Sequence, residues 1–267
     1  MKILFLGDIV GVPGRAALKQ HLPALREKHG LTAVIANGEN AANNNKGLTG
    51  TDAKDILASG VDLITLGDHT FDQKGFEETL ATNPRIIRPY NYPTGTIGRG
   101  HTVIDVMGKR IAVINLQGRV FMRQLIDCPF RASTELQKDY RLGDNVDAII
   151  VDMHAEATSE KCNMAYVWDG KASLVVGTHT HIPTSDTRIQ PLGTAYQTDA
   201  GMCGDYNSSL GVTTPSSLPS FTSAHRYKFE AATGEATLSG VIVTVGDNGL
   251  ATAVQPLRIG GCLQPTE

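Results

Sequence analysis

The feature that most constrains the fold is a regular alternation of short apolar runs and longer amphipathic segments near the start of the chain. The predicted strands and helices alternate along residues 2–6, 13–29, 32–36, 51–59 and 61–66. Pro13 suits the first turn of the first helix, and Thr49 or Thr51 suits the N-cap of the second. Strands that alternate with helices run parallel and are joined by right-handed crossovers, so this region predicts an α/β fold.

The remainder of the chain adds antiparallel pairs to this pattern. Residues 101–116 predict a hairpin that turns at Gly108-Lys109, and residues 238–259 predict a second hairpin that turns at residues 247–249. Between the hairpins, the further predicted elements are helices and strands at residues 131–142, 147–153, 156–167 and 173–177. No internal repeat or linker is visible, so the sequence predicts a single domain over residues 1–267 with a mixed core of two sheets.

Composition argues against several classes of partner. The formal net charge is −3 and aromatic residues make up 6% of the chain, which argues against a long nucleic-acid groove or an anionic membrane surface. No apolar run approaches the roughly 20 residues that span a bilayer. The short apolar N-terminus is interrupted by Asp8 and lacks a small-residue cleavage site. Four cysteines without a CxxC pair predict free thiols. We therefore expect a cytoplasmic protein that acts on small molecules.

Carboxylates and imidazoles follow the predicted strands at the points where the strands end. Ligands of open α/β sheets bind outside the carboxyl ends of the strands, where the loops converge. The candidate residues at these ends are Asp8, Glu39, Asn40, Asp68, His69, His154, His179 and His181. Because several strands supply such groups at the same end, we interpret the set as one functional site.

Each candidate also has a plainer explanation. Asp8 and the Gly67-Asp68 pair are typical of turns and helix caps, and Glu39 lies in an asparagine-rich loop of a kind that is usually solvated. His154 alone fits a hydrogen-bonded structural histidine. The segment "GTHTH" (177–181) is more informative, because in an extended segment its two histidines share one face and form a two-ligand clamp for a metal.

Together the candidates supply more ligands than a single zinc ion needs. They suit two metal ions held about 3.5–4 Å apart with a carboxylate between them, an arrangement that activates a bridging water and clamps an in-line phosphoryl displacement. Imidazole and carboxylate ligands favour iron, manganese or zinc over calcium. The signatures GxSxG, GxxxxGK[ST] and GxGxxG are absent from the sequence.

Five short motifs and a sixth segment connect the chain to a known family. The sequence resembles the calcineurin-like metallophosphoesterases and, within them, the YmdB-type branch of bacterial phosphodiesterases. The segments that carry the resemblance are "GDIVG" (7–11), "NGENAA" (37–42), "GDHTFD" (67–72), "VDMHAEATSEK" (151–161), "GTHTHIPTSD" (177–186) and "GTAYQTDAGMCG" (193–204). They extend over nearly the whole chain.

The resemblance implies a sandwich of two mixed β-sheets flanked by helices, with a dinuclear metal centre at one edge. It implies that Asp8 and His181 hold one metal, that Glu39 bridges, and that Asp68, His154 and His179 hold the other metal. His69 becomes the general acid, and Asn40 lies near the metals or the phosphate. The implied activity is hydrolysis of small phosphodiesters, including 2′,3′-cyclic nucleotides, by a metal-bridging hydroxide. Members of this branch tend to be cytoplasmic and to form homo-oligomers.

One residue departs from the family pattern. The family usually has asparagine in the motif in which this chain has Asp68, so the site carries one more negative charge. We hypothesise that this charge favours a trivalent iron paired with a divalent ion, or weakens phosphate binding, and moves the alkaline limb of the pH profile upward.

Other activities fit the same motifs. A phosphomonoesterase uses the same metals, a non-catalytic protein could bind nucleotide or metal and regulate a partner, and a nuclease could act on RNA ends. Substrate specificity would come from loops at residues 40–50, 118–130 and 203–225, whose sequences carry no readable code. Within the first two of these loops, Lys46 and Arg119 are either phosphate contacts or solvated surface residues.

Overall fold

The computed structural model describes residues 1–225 and 227–266. Its strands are β1 Lys2–Leu6, β2 Asp8–Ile9, β3 Ala33–Asn37, β4 Leu63–Thr65, β5 Ile86–Ile87, β6 His101–Val106, β7 Lys109–Gln117, β8 Ala148–His154, β9 Leu174–Thr178, β10 Arg188–Ile189, β11 Ala195–Gln197, β12 Met202–Cys203, β13 Leu238–Val245 and β14 Ala251–Ile259. Its helices are α1 Gly11–His29, α2 Gly50–Ala58, α3 Phe76–Thr82, α4 Pro129–Asp139, α5 Thr158–Trp168, α6 Thr214–Ser217 and α7 Pro219–Thr222.

Most of these strands form two six-stranded sheets, with the orders β14-β13-β1-β3-β4-β5 and β10-β11-β9-β8-β7-β6. In the first sheet β1, β3, β4 and β5 run parallel to one another, and β13 is antiparallel to both of its neighbours, β1 and β14. In the second sheet β7, β8, β9 and β11 run parallel, and the edge strands β6 and β10 are antiparallel. Both sheets are therefore mixed.

The alternation of side chains along each strand explains how the sheets pack. Ile3 and Phe5 of β1 belong to the same apolar layer as Ile150 of β8, so this layer lies between the two sheets. Leu4 and Leu6 point the other way and pack against α1 and α2. On the far side of the second sheet, alternate residues of β8 pack against α4 and α5. The predicted α/β fold, with two mixed sheets packed as a sandwich and flanked by helices, is confirmed.

The long elements lie close to their predicted positions. Both predicted hairpins are present, as β6–β7 and β13–β14. The first turns at Met107-Gly108, one residue before the predicted position, and both turn residues have positive φ. The Thr49 side chain accepts a hydrogen bond from the Asp52 amide and caps α2. The predicted third strand is present as the three-residue β4. The sequence did not predict the short strands β2, β5, β10, β11 and β12 or the helices α3, α6 and α7, because these elements are too short to show a period.

The two sheets present their carboxyl ends at one common edge. Thr65 at the end of β4 donates a hydrogen bond to Asp152 of β8 (2.6 Å), and Asn37 at the end of β3 donates to the same carboxylate (3.1 Å). These contacts join the first sheet to the second directly beside the candidate residues. Within the described ranges, no helix combines the length and the apolarity that a bilayer crossing requires.

Candidate metal centre

Four of the predicted ligands converge at this common edge. Each of Glu39, Asp68, His154 and His179 offers one ligand atom, and all four atoms lie within 4.8 Å of one another. The structure brings these four predicted residues together at the strand ends. They come from both sheets: Glu39 and Asp68 follow strands of the first sheet, and His154 and His179 come from the end of the second.

The distances within this group favour a shared cation. His154 Nε2 lies 3.2 Å from a Glu39 oxygen, 3.1 Å from an Asp68 oxygen and 3.1 Å from His179 Nδ1. An imidazole nitrogen has at most one hydrogen to donate, so it cannot satisfy three such neighbours by hydrogen bonding. A metal ion that accepts lone pairs from imidazole and carboxylate together satisfies all of them.

A buried relay fixes the orientation of the His154 ring. Thr178 donates its only hydroxyl hydrogen to Asp152 (2.7 Å), so at 2.9 Å it accepts from His154 Nδ1–H. Burial raises the pKa of Asp152 to about 6, and hydrogen bonds from the Thr65 and Thr178 hydroxyls oppose this rise. The proton thus sits on Nδ1 and leaves the Nε2 lone pair directed at the metal group.

Asp8, Asn40 and His181 form a second group of acceptors beside the first. His181 Nδ1 donates to the Leu210 carbonyl (3.1 Å), so the ring's lone pair belongs on Nε2, which faces Asn40 Oδ1, also an acceptor (3.1 Å). Asp8 is fully buried, and its Oδ1 has no hydrogen-bond partner among the residues that the structure describes. Facing lone pairs and an orphaned carboxylate oxygen fit a second cation.

The loop that carries both histidines is not extended, which corrects the prediction that they share a strand face. His179 and His181 have φ values of 99° and 64°, a left-handed region that costs free energy for residues other than glycine. Asp199 holds this conformation, because its carboxylate accepts from the amide and the hydroxyl of Thr180 (3.2 and 2.7 Å). Lys161 pairs with the same carboxylate at 2.7 Å, and this ion pair is buried.

His69 lies at the rim of the group rather than inside it. Its side chain is 27% exposed, and its Nδ1 lies 2.7 Å from an oxygen of Asp72. Its backbone amide donates to Glu39 Oε2 (3.0 Å), which ties the rim to the four-residue group. With Nδ1 donating to Asp72, the other ring nitrogen can donate a proton to a bound molecule.

Burial and charge oppose each other throughout the site. Burial lowers the pKa of His154, but the Glu39 and Asp68 carboxylates outweigh burial and raise it well above its usual value. Burial raises the pKa of Asp68, yet its interactions with the neighbouring His154 and His179 rings hold that pKa below its usual range. Burial raises the pKa of Asp8 more than the nearby histidines lower it. The site therefore favours a concentrated positive charge.

Gly67 allows these groups to approach one another. A Cβ at this position would lie 2.3 Å from Glu39 Oε2 and 2.3 Å from His154 Nε2. Any side chain here would occupy the space between two of the proposed ligands, so the glycine that ends the third predicted strand is required by packing at the site.

The sequence did not identify the residues that hold the ligands in place. These residues are Asn37, Asp72, Asp152, Lys161, Thr178 and Asp199. A signal existed for Asp152, because it precedes His154 by two residues on a strand and such residues share a face. No local pattern indicated that Lys161 and Asp199 would pair across the second sheet.

Comparison with known proteins gives a consistent picture. A family model described as YmdB-like protein matches residues 4–257. The chain is 45% identical to the 2′,3′-cyclic-nucleotide 2′-phosphodiesterase of Bacillus subtilis (strain 168) over 247 residues, which cover 92% of each protein. A crystal structure of a hypothetical protein from Thermus thermophilus superposes with a TM-score of 0.91 at 39% identity, covering 98% of this chain and 100% of that one. A novel phosphatase from Mycoplasma pneumoniae gives a TM-score of 0.90 at 34% identity, with coverage of 97% and 93%.

Proposed function

Because this chain belongs to the YmdB-like family of calcineurin-like metallophosphoesterases, we propose that it is a metal-dependent phosphodiesterase that hydrolyses small phosphodiesters such as 2′,3′-cyclic nucleotides. The observation that carries the proposal is the convergence of Glu39, Asp68, His154 and His179 on one point. The similarity to a cyclic-nucleotide phosphodiesterase over nine-tenths of both chains supports the substrate class.

The donor set supports a proposal of two adjacent metal positions. Glu39, Asp68, His154 and His179 would hold one ion, and Asp8 and His181 would hold the other, with Glu39 shared between them and the Asn40 oxygen beside the second position. When bound, such a pair supplies Lewis-acid stabilisation of phosphate charge and lowers the pKa of a water molecule. Imidazole with carboxylate favours iron and manganese, with zinc as the alternative.

His69 is proposed as the general acid. The Asp72 carboxylate lies 2.7 Å from Nδ1 and orients the ring. The opposite nitrogen is then the donor to the leaving oxygen of the substrate, because the ring is partly exposed at the rim of the site. Asp72 acts here as a positioning residue.

Two other activities are distinguishable from this one. A phosphomonoesterase is the second candidate, because one of the similar solved structures is described as a phosphatase. A non-catalytic nucleotide- or metal-binding regulator is the third. Homo-oligomerisation, a cytoplasmic location and a single domain over residues 1–267 stay predictions from the sequence.

The test is metal analysis of the purified protein combined with turnover of 2′,3′-cyclic AMP, bis-p-nitrophenyl phosphate and p-nitrophenyl phosphate. We expect iron or manganese in the protein, turnover of both diesters, and loss of that turnover on chelation. Preference for the monoester would favour the phosphatase. Full metal content with tight nucleotide binding and no turnover would favour the regulator.

A further inference from the structure

The segment at residues 118–126, which we call the rim loop, is fastened to the metal centre at several points. The amide of Gly118 donates to the His154 carbonyl (2.9 Å). The Glu160 carboxylate accepts from the amides of Arg119 and Val120 at 3.0–3.2 Å. The Gln124 side chain donates to the Asp68 carbonyl (3.0 Å). Two of these anchors are therefore the backbone carbonyls of proposed metal ligands.

The start of the rim loop is packed too closely to move freely. A Cβ on Gly118 would lie 2.4 Å from Glu160 Oε2 and 2.6 Å from Ala155 Cβ. Glycine is the residue that permits this approach, and the approach brings the Glu160 carboxylate onto the two amides that follow. The loop therefore holds a defined shape at the rim of the site.

Phe121 is the unusual residue of this loop. Its side chain is 83% exposed and its φ is 65°, a backbone conformation that is rare for a bulky residue. It lies three residues from both Gly118 and Gln124, so its Cα is at most about 11 Å from the Cα of each anchor. A strained backbone that holds an apolar ring in solvent beside a reactive centre is a feature of binding sites.

Resting on the proposed function, we propose that Phe121 is the platform on which the base of the nucleotide substrate stacks. Every nucleobase presents a flat π face, so an exposed aromatic ring binds bases with little regard to their identity. Arg119 and Arg123 lie two residues before and after Phe121 in the sequence, and they form no ion pair with any residue in the described part of the chain. Their charge attracts an anionic substrate toward the ring.

The same strand provides a matched control. Met107 lies just before β7, whereas the rim loop lies just after it. Like Phe121, Met107 is apolar and highly exposed (81%) and has a positive φ (54°). It belongs to the hairpin turn at the amino end of the strand, away from the metal centre. Met107→Ala therefore removes a comparable exposed side chain from a comparable backbone without touching the site.

The experiment compares two substrates that share a five-membered cyclic diester, 2′,3′-cyclic AMP and the 2′,3′-cyclic phosphate of methyl riboside, which has no base. Phe121→Ala should raise KM for 2′,3′-cyclic AMP about tenfold, the order expected for one stacked base, and leave KM for the base-free diester unchanged. Phe121→Trp should restore the wild-type KM, and Met107→Ala should change neither value. Calorimetry of 3′-AMP binding should show the same about tenfold loss for Phe121→Ala alone.

Other outcomes overturn the proposal in distinguishable ways. Equal increases in KM for both substrates would assign Phe121 a role in the shape of the loop. Unchanged kinetics with a smaller particle in light scattering would assign it to a contact between copies of this chain. If wild type hydrolyses neither diester, the proposed function fails, and the calorimetric comparison still decides whether Phe121 binds the base.

Discussion

The strand β8 contributes to two regions of different character, the apolar layer between the sheets and the edge that carries the candidate metal centre. Ile150 lies in the apolar layer between the sheets, and only two and four residues later Asp152 and His154 are equally buried. The interior region excludes water by packing apolar side chains, which stabilises the fold at about 25 cal/mol per Å² buried. The edge region excludes water around charges, which costs free energy unless partners compensate.

The two regions are therefore expected to have different roles, the interior in folding and the edge in function. The interior needs nothing from outside the chain. The edge has more carboxylate than its histidines balance, and Asp8 Oδ1 lacks a hydrogen-bond partner within the described residues, so we expect this region to take up cations. We therefore expect changes in the interior to alter folding and changes at the edge to alter function, and the following variants test that division.

The largest effect is expected for Asp8→Asn. Metal ions contribute several kcal/mol of transition-state stabilisation, so losing one proposed ligand should lower kcat/KM on the order of 10³-fold. Because burial disfavours the charged Asp8, the variant should be more stable than wild type when both are metal-free, by about 0.5–2 kcal/mol. Metal analysis, kinetics and denaturant unfolding measure these changes. A less stable metal-free variant would contradict the idea that this charge is costly.

The second effect is expected for Ile150→Ala. Truncating a fully buried isoleucine between the sheets should lower the free energy of unfolding by about 2–5 kcal/mol. Metal content and kcat/KM of the folded protein should stay at wild-type values, because the proposed ligands come from the strand ends. Urea unfolding and metal analysis provide the check. A parallel loss of metal would show that the two regions are not independent.

A smaller effect is expected for Thr178→Val, which removes the hydroxyl between His154 and Asp152. Metal affinity should fall by about 10–100-fold, as is typical when the partner of a metal-binding histidine is lost. Titration with manganese, followed by calorimetry, measures the change. Thr178→Ser keeps the hydroxyl and should retain wild-type affinity.

A matched control for that variant is Thr194→Val. Thr194 is also buried, and its hydroxyl bonds to the carbonyls of Trp168 and Ala172 away from the edge. Its loss should cost about 1–3 kcal/mol of stability through the carbonyl left unpaired and should not change metal affinity. Equal losses of affinity in both variants would point to general destabilisation instead of a specific relay.

The smallest effect is expected for Asp68→Asn, which removes one negative charge and keeps an oxygen ligand. We expect turnover within roughly tenfold of wild type, since asparagine is the residue that the family usually has at this position. Removing a negative charge lowers the pKa of an acid that ionises beside it, so the pH optimum should move downward. The fraction of trivalent iron should fall as well. An unchanged pH–rate profile together with an unchanged metal valence would refute the hypothesis.

Much of the fold was predictable because apolar residues recur at regular spacings in the long strands and helices. The pattern at residues 2–66 predicted the parallel strands, and the two hairpins were predicted from their turns. The short strands β2 and β12 were not predictable, because they exist only where Met202 and Asp8 are brought side by side by the rest of the fold. The local sequence does not predict such pairing.

The candidate site was predictable to the extent that its residues directly follow strands. Glu39, Asp68, His154 and His179 were named from the sequence, and the structure brings them together. The conformation of the two-histidine loop was not predictable, because Asp199 and Lys161 impose it from elsewhere in the chain. Two sheets were predicted, but the strand-end pattern does not show which of the two sheets supplies each ligand.

The pairing of β1 with β13 has a consequence for how the chain is made. Lys2 lies opposite Thr244 and Leu6 opposite Gly240, so β1 pairs with a strand that is synthesised much later. At typical translation rates of about 5–20 residues per second, one edge of β1 waits on the order of 10–50 s for its neighbour. During that time the nascent chain presents an unpaired strand edge, which can pair wrongly with another strand. Completion of this sheet during synthesis therefore has to wait until β13 has emerged from the ribosome.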